Sequence, residues 1–459
     1  MNWYKLLCDE RFRPSTSYNG ETRTEIERDY GRVVFSTPVR RLQDKAQVFP
    51  LEPIDAVRTR LTHSMEVSSV ARGYAKGVAK KLIEEGKVTQ HQAYEIECIA
   101  ATCGLIHDVG NPPFGHAGED AIRSWFKRKF KDKKSKEEHK FWNDPKNAVF
   151  RADLENFEGN AQTLRLVTKL QILSDRFGLN LTYATLSVAL KYTASSLEIQ
   201  KDGNHSKTKL GYYQTEKDQV EKIRIKTGTG DARHPISLLV EAADDSVYAV
   251  VDIEDGIKKG VVTWKQVSDF LKERIDKTLF EQTVVEAEKR ITEGEFSQPG
   301  KNNDEFISQY FRTLVIAKAH QAIVSKFSEK YDQIMLGSFE EELLFECDEV
   351  GKLYKALKDI GRKYVWNSKE TLRLELLGRN VIHTHLDLFS KIKPSEKSKT
   401  FEEKSYHLLS SNYRAIYRDG VDQGLLPERY LRAILLTDYI CGMTDTFAVN
   451  LHQELSSGY

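Results

Sequence analysis

Residues 105–119 read LIHDVGNPPFGHAGE, which packs two histidines, an aspartate and a glutamate among three glycines and two prolines. His107 and Asp108 end an apolar stretch of helical character. Helical neighbours point about 100° apart, yet both can reach one ion lying beside the axis. Taken alone, such a pair also reads as a helix-end imidazole with a carboxylate partner. Two other segments add donors. His63 stands in RLTHSMEV, where Leu61, Val67 and Val70 turn that part of the chain inward. A hydrogen-bonded core histidine is the plain alternative there. In EAADDSVYAVVDIEDG, Asp244, Tyr248 and Asp252 fall at i, i+4 and i+8, on one helical face. Ala242, Ala243, Val247, Val250 and Val251 make that helix apolar. A buried, unpaired carboxylate costs several kcal/mol, so these aspartates must be paired or hold a cation. Glu254 and Asp255, nearer the helix end, are expected to face solvent. Two imidazoles and two carboxylates form a mixed N/O set. It suits Mn²⁺, Fe²⁺, Mg²⁺ or Zn²⁺ with positions left for water and substrate. Without thiolates it is not a structural zinc site.

The elements that must carry these residues are helical. Apolar positions recur with helical rather than strand periodicity, and proline is rare, 11 in 459 residues. Residues 60–86 read as an amphipathic helix closed by Gly86 and a basic last turn. A second helix is expected over 89–108, capped by Thr89 with Gln92 three residues on. Its interior IECIAATCGLI is apolar nearly all round, so it should be buried. The double proline then stops the helix. A third helix is expected from about Ala117 to Phe130, and the run KRKFKDKKSKEEHK after it reads as a solvated connection. Residues 159–195 suggest two more helices. Residues 201–218 suggest a loop or short hairpin. A long helix is expected over 236–259, stopped by Gly260, and further amphipathic helices run to the end. No internal repeat is present.

Composition narrows the function classes. The chain is 40% hydrophobic and 30% charged, as ordinary globular proteins are. Its formal net charge of +1 favours neither a nucleic-acid nor a membrane partner. Five cysteines, Cys8, Cys98, Cys103, Cys347 and Cys441, are dispersed without CxxC spacing. That pattern argues for reduced thiols and a cytoplasmic protein. No N-terminal apolar signal region is visible, and no apolar run approaches the roughly 20 residues of a membrane span.

The pattern His63, His107-Asp108, Asp244 resembles the HD-domain superfamily of metal-dependent phosphohydrolases. The strings RRLQDKAQVFPLE, RTRLTHSMEV, IHDVGNPPFGHAGE, EAADDSVYAVVDIEDG and TDYICGMTDTFA resemble its bacterial dGTP triphosphohydrolase branch. The match spans roughly residues 30–260, with a weaker echo to about residue 450. The resemblance implies an all-α fold and one divalent metal ion held by His63, His107, Asp108 and Asp244. Mg²⁺ or Mn²⁺ is favoured, with Zn²⁺, Fe²⁺, Co²⁺ or Ni²⁺ open. It implies hydrolysis of a deoxynucleoside triphosphate, dGTP favoured, at the α-phosphorus to deoxynucleoside and inorganic triphosphate.

It also assigns His116 and Glu119 to catalysis. They stand at i, i+3, so Glu119 can hold one His116 tautomer and stabilise its protonated form, although a capping contact would look the same. The GNPPFG turn redirects the chain after His107 and Asp108 so that His116 returns to one site; Gly110 and Gly115 permit tight turns. For substrate, Arg60 lies on the face of His63 and can clamp phosphate. Arg58 is a weaker candidate. Lys209 and Tyr212, in KLGYYQTEKD, are candidates for phosphate. Gln47 matches a family glutamine at the sugar 3′-hydroxyl. Tyr248 could lie beneath the deoxyribose, and Asp252 could bond its 3′-hydroxyl. Asn111 in HDVGN replaces the lysine of HD-x-G-K phosphodiesterases, which disfavours a dinuclear site.

The expected organisation is an irregular N-terminal segment with short helices (1–50), an HD core (51–265) and C-terminal helices packed on it (266–459). A homo-oligomer, hexamer or tetramer, is implied, with single-stranded DNA or a dNTP as potential effector. The alternatives are another HD phosphohydrolase or phosphodiesterase, a dNTPase requiring a nucleotide activator, or a binding regulator with a degenerate site.

Overall fold

Local chemistry sets the three helices that matter most. Thr59 caps the helix Arg60–Glu84 by accepting the Thr62 N–H, and Thr62 returns a bond to the Thr59 backbone. Gly86, at φ 67°, ends it in the left-handed region. Thr89 and Gln92 form the expected capping box of the helix Gln90–Ile106. Pro235 sits in the first turn of the helix Pro235–Lys258, where its missing N–H costs nothing. These three helices pack against one another. Burial on several sides explains why the second is apolar all round. Gly104 lets the first two approach closely, because a Cβ there would stand 2.7 Å from the Ser68 Cα.

The computed structural model describes residues 1–16, 20–52, 54–171, 175–294, 303–395 and 399–456. Among them there is no strand, only isolated bridges pairing Arg11 with Thr182, Ala46 with Thr59 and Ala194 with Leu210. The fold is all-α, as expected. No helix among the described residues is long and apolar enough to cross a membrane. Parts of the N-terminal, 159–195 and C-terminal expectations fall on residues 17–19, 172–174 and 295–302, outside the described residues.

Three local expectations are refined. The basic run after the third helix is largely helical: that helix spans Gly115–Lys131, and Lys136–Asn143 follows, capped by Ser135. Lysine and glutamate are good helix formers, and Trp142 anchors the second helix by stacking on Phe130 at 4.4 Å. Residues 201–218 take the loop alternative rather than the hairpin, with short 3₁₀ turns at His205–Lys207 and Gln214–Glu216. The N-terminal segment holds a ten-residue helix, Glu25–Val34, closed by a Thr24–Glu27 capping box.

Two apolar cores divide the molecule. One joins Val67–Cys103 residues to Ile236–Val365 residues; the other joins Leu105–Ile223 residues to Val381–Ala448 residues. Each core therefore draws on both sides of residue 265. The chain passes from the first core to the second between Cys103 and Leu105. His107 and Asp108 follow at that crossing, where residues distant in sequence come together.

Candidate active site

The second helix ends at Ile106, and His107 is its C-cap. The His107 Nδ1–H donates to the Gly104 carbonyl at 2.7 Å. This bond orients the ring and turns Nε2 toward the carboxylates. His107 Nε2 is buried and has no hydrogen-bond partner. It stands 3.4 Å from Asp244 Oδ1 and 3.6 Å from Asp108 Oδ2. His63 Nε2 is 3.1 Å from the same Asp244 oxygen. One donor each from His63, His107 and Asp244 lies within 4.8 Å of the others. An orphaned imidazole nitrogen facing two carboxylates and a second imidazole is what a divalent cation requires. The residues present therefore fit a metal ion.

Asp108 joins this group from one side. Its Oδ1 accepts the Asn111 amide at 2.6 Å, and its Oδ2 accepts Arg60 Nη1. Burial opposes its charge, but Arg60 and His107 hold its carboxyl down at about 2. Burial likewise opposes a charged His107, yet Asp108 and Asp244 outweigh it and lift the imidazole to about 9.

The turn after Asp108 is built by close backbone packing. A Cβ on Gly110 would meet the Thr163 nitrogen at 2.2 Å and the Gly159 oxygen at 2.3 Å. Phe114 then takes a left-handed conformation, φ 63°, as the N-cap of the third helix. His116 follows, its side chain 77% exposed at the cavity mouth. The His116 Nδ1–H donates to Glu119 Oε2 at 3.0 Å. Glu119 is buried, and its Oε1 accepts the Gly159 N–H at 2.8 Å. The hydrogen bond and charge of Glu119 raise the His116 pKa. Burial raises the Glu119 carboxyl, but His116 more than reverses this. Gly110→Ala is expected to destabilise the fold by about 1–3 kcal/mol, because backbone cannot yield to the added methyl; a denaturant titration measures it.

These groups open into one cavity of about 560 Å³. Arg60, Gln47, Lys209 and Tyr248 line it, beside His107, Asp108, His116, Glu119 and Asp244. Gln47 Oε1 is buried and unpartnered. Lys209 Nζ is 3.3 Å from Glu158. Tyr248 stacks on Trp366, ring centroids 5.1 Å apart, and burial pushes its phenol well up.

Three candidates lie elsewhere. Tyr212 does not line the cavity; it is buried in the second core with the Arg224 guanidinium over its ring. Asp252 does not line it either: its Oδ2 accepts the Trp366 indole N–H at 2.9 Å, and burial raises its carboxyl well above the usual range. Arg58 is occupied by Glu66, Glu254 and Asp255. Those last two acids are buried, not solvent-facing; Arg58, Arg312 and Lys258 neutralise them.

The structure adds cavity residues that sequence reasoning missed. Lys191 and Tyr192 follow the helix Tyr183–Ala189 and line the cavity. Lys191 Nζ is 3.6 Å from Glu241 and 3.9 Å from Asp244. Burial opposes its charge, but Tyr192, Glu241 and Asp244 keep Lys191 protonated. A lone lysine closing the apolar run ATLSVAL was the available signal. Trp366 and Glu375 form another wall. Beneath the site, buried Lys45 donates to the Asn111 carbonyl at 2.5 Å and the Cys441 carbonyl at 2.8 Å. Burial lowers its ammonium to about 8. Lys45→Met would leave both carbonyls without this donor and is expected to cost about 1–3 kcal/mol of stability, read from the midpoint of chemical unfolding.

Comparison with known proteins agrees with this geometry. The HD domain model matches residues 60–159, which hold His63, His107, Asp108, His116 and Glu119. A phosphohydrolase-associated domain model matches residues 347–454. A deoxyguanosinetriphosphate triphosphohydrolase-like protein of Listeria monocytogenes is 36% identical, with 99% of each chain covered. Deoxyguanosinetriphosphate triphosphohydrolases of Serratia proteamaculans and Yersinia enterocolitica are 34% and 32% identical; 94% and 96% of this chain is covered. The HD site and the full-length similarity together place this chain in the family of deoxyguanosinetriphosphate triphosphohydrolases and their like, within the HD phosphohydrolases.

Proposed function

We propose that this protein hydrolyses deoxynucleoside triphosphates, dGTP favoured, at the α-phosphorus, releasing deoxynucleoside and inorganic triphosphate. One observation carries the reading: His107 and Asp244 of the metal cluster, the His116–Glu119 pair and the cations Arg60, Lys191 and Lys209 line one cavity, with His63 buried directly behind Asp244. The relatives bear names of that activity.

In this reading His63, His107, Asp108 and Asp244 hold one divalent ion, Mg²⁺ or Mn²⁺ by preference. The ion, when bound, supplies Lewis-acid polarisation of a phosphoryl oxygen. Arg60, Lys191 and Lys209 neutralise and orient the triphosphate. Gln47 offers an unpartnered acceptor to a sugar hydroxyl. Tyr248 and Trp366 give a flat apolar surface for the sugar or base. His116, held as imidazolium by Glu119, presents Nε2–H to the leaving 5′-oxygen. The water oxygen bonds the α-phosphorus as the P–O5′ bond breaks, the 5′-oxygen takes the Nε2 proton, the attacking water releases its proton to solvent, and His116 is reprotonated from solvent. Base selectivity belongs to the wall of Trp366, Thr371 and Glu375.

The same reading extends to a cytoplasmic homo-oligomer, hexamer or tetramer. Free cysteines support the first. Exposed Leu372 and Leu376, on the helix that carries Thr371 and Glu375, support the second. A single-stranded DNA or dNTP effector is part of the proposal through the family resemblance. Incubation with Mn²⁺ or Mg²⁺ and each dNTP, alone and in pairs, tests the reading. Deoxynucleoside with intact triphosphate is the expected product. Orthophosphate as the first product, or no turnover of any dNTP, would refute it.

A further inference from the structure

Asp445 opens the helix Asp445–Ser456 near the end of the chain, and it is buried. Its two carboxylate oxygens serve different walls of the cavity. Oδ1 accepts the Phe114 N–H at 2.9 Å. Oδ2 accepts the Ala46 N–H, also at 2.9 Å. Phe114 is the left-handed N-cap of the His116 helix, and Ala46 immediately precedes Gln47.

No side chain caps the His116 helix locally. A bulky residue in the left-handed region is strained and persists only where its surroundings hold it. Here two contacts do so, and both come from the C-terminal part of the chain. One is the Asp445 bond. The other is Gly378: a Cβ there would stand 2.5 Å from Phe114 Cγ, so the ring lies directly on that glycine. Lys45 adds a parallel tie between the Asn111 and Cys441 carbonyls.

We infer that Asp445 is a positioning residue that aims His116 and Gln47 by gripping the backbone beside each. This deepens the proposed function and rests on it for the roles of His116 and Gln47. It gives the phosphohydrolase-associated region, residues 347–454, a defined role in shaping the site. Gly378 and Asp445 belong to that region, whereas Phe114 belongs to the HD region. A carboxylate is needed because both neighbours are N–H donors. An amide at this position would turn its own NH₂ toward one of them.

The test compares Asp445→Asn with the wild type and with Thr446→Val. Thr446 bonds Asp44 at the surface, so its variant serves as the neutral neighbour. Asp445→Asn is expected to retain its metal stoichiometry and to lose on the order of 10–100-fold in kcat, the effect of losing a supporting bond or of a displacement near 1 Å. The His116 ring, followed by NMR, should titrate at lower pH as it loosens from Glu119. In a Phe114→Gly background the Asp445→Asn loss should shrink, because glycine takes the left-handed conformation freely. An unchanged kcat, or an unmoved His116 titration, overturns the assignment. If Asp445→Asn does not fold, Gly378→Ala decides, since it displaces Phe114 from the other side. A lowered kcat with a shifted His116 titration supports the inference, and the absence of both overturns it. The NMR titration needs no turnover, so absent wild-type dNTP hydrolysis would sink the functional reading without deciding the role of Asp445.

Discussion

Replacing His107 with alanine should abolish metal retention and lower kcat by on the order of 10³-fold, since a bound divalent ion contributes several kcal/mol to charge stabilisation. The expectation rests on local construction. His107 Nε2 is a buried nitrogen with no hydrogen-bond partner, facing the Asp108 and Asp244 carboxylates, and its Nδ1–H is committed to the Gly104 carbonyl. Such an atom is retained at a cost unless something binds it. The fold should tolerate the change, because the imidazole contributes one local backbone bond. Metal analysis of the purified variant beside its steady-state rate makes the check. Full metal content with the rate intact would remove His107 from the site.

The second large effect concerns His116 and Glu119. His116→Ala should lower kcat by about 10²–10⁴-fold with little change in metal content. The pH profile is more informative. Glu119 raises the His116 pKa, so the imidazolium persists to higher pH than in a free histidine and is lost as pH rises through that raised value. Activity that needs the proton donor therefore falls on the alkaline side. Glu119→Gln removes the carboxylate, and the His116 pKa should fall, since burial and the charges of Arg60 and Lys209 all oppose its proton. The alkaline limb of kcat should move to lower pH by the same amount. A limb that stays in place would show that another group donates the proton.

The chemistry of this site is legible where polar residues interrupt apolar helices. Asp244 stands out in an apolar helix because burial without a partner is costly; His63 and the His107–Asp108 pair, each open to a plain structural reading, gain their role from the family resemblance. The turn is readable because two prolines and three glycines within LIHDVGNPPFGHAGE leave a helix no way to continue. Capping boxes at Thr59 and Thr89 set helix starts by contacts only three residues long.

The misplaced residues depend on distant partners. Asp252 shares a helical face with Asp244, but its carboxylate meets Trp366, 114 positions away. Glu254 and Asp255 are buried rather than solvent-facing because Arg58 and Arg312 approach them from other parts of the chain. Tyr192 reaches the cavity and Tyr212 does not. The sequence hides that difference, because both tyrosines lie in irregular stretches where side-chain direction has no periodicity to read. The two interleaved cores are equally invisible, since each is assembled from segments more than a hundred residues apart.

The proposed reaction is attack by water at the α-phosphorus within this cavity. Turnover of dGTP in ¹⁸O-labelled water, with products resolved by mass spectrometry, tests it directly. The account predicts one ¹⁸O in inorganic triphosphate and none in deoxyguanosine. Label in deoxyguanosine, or label appearing first in orthophosphate, would contradict it.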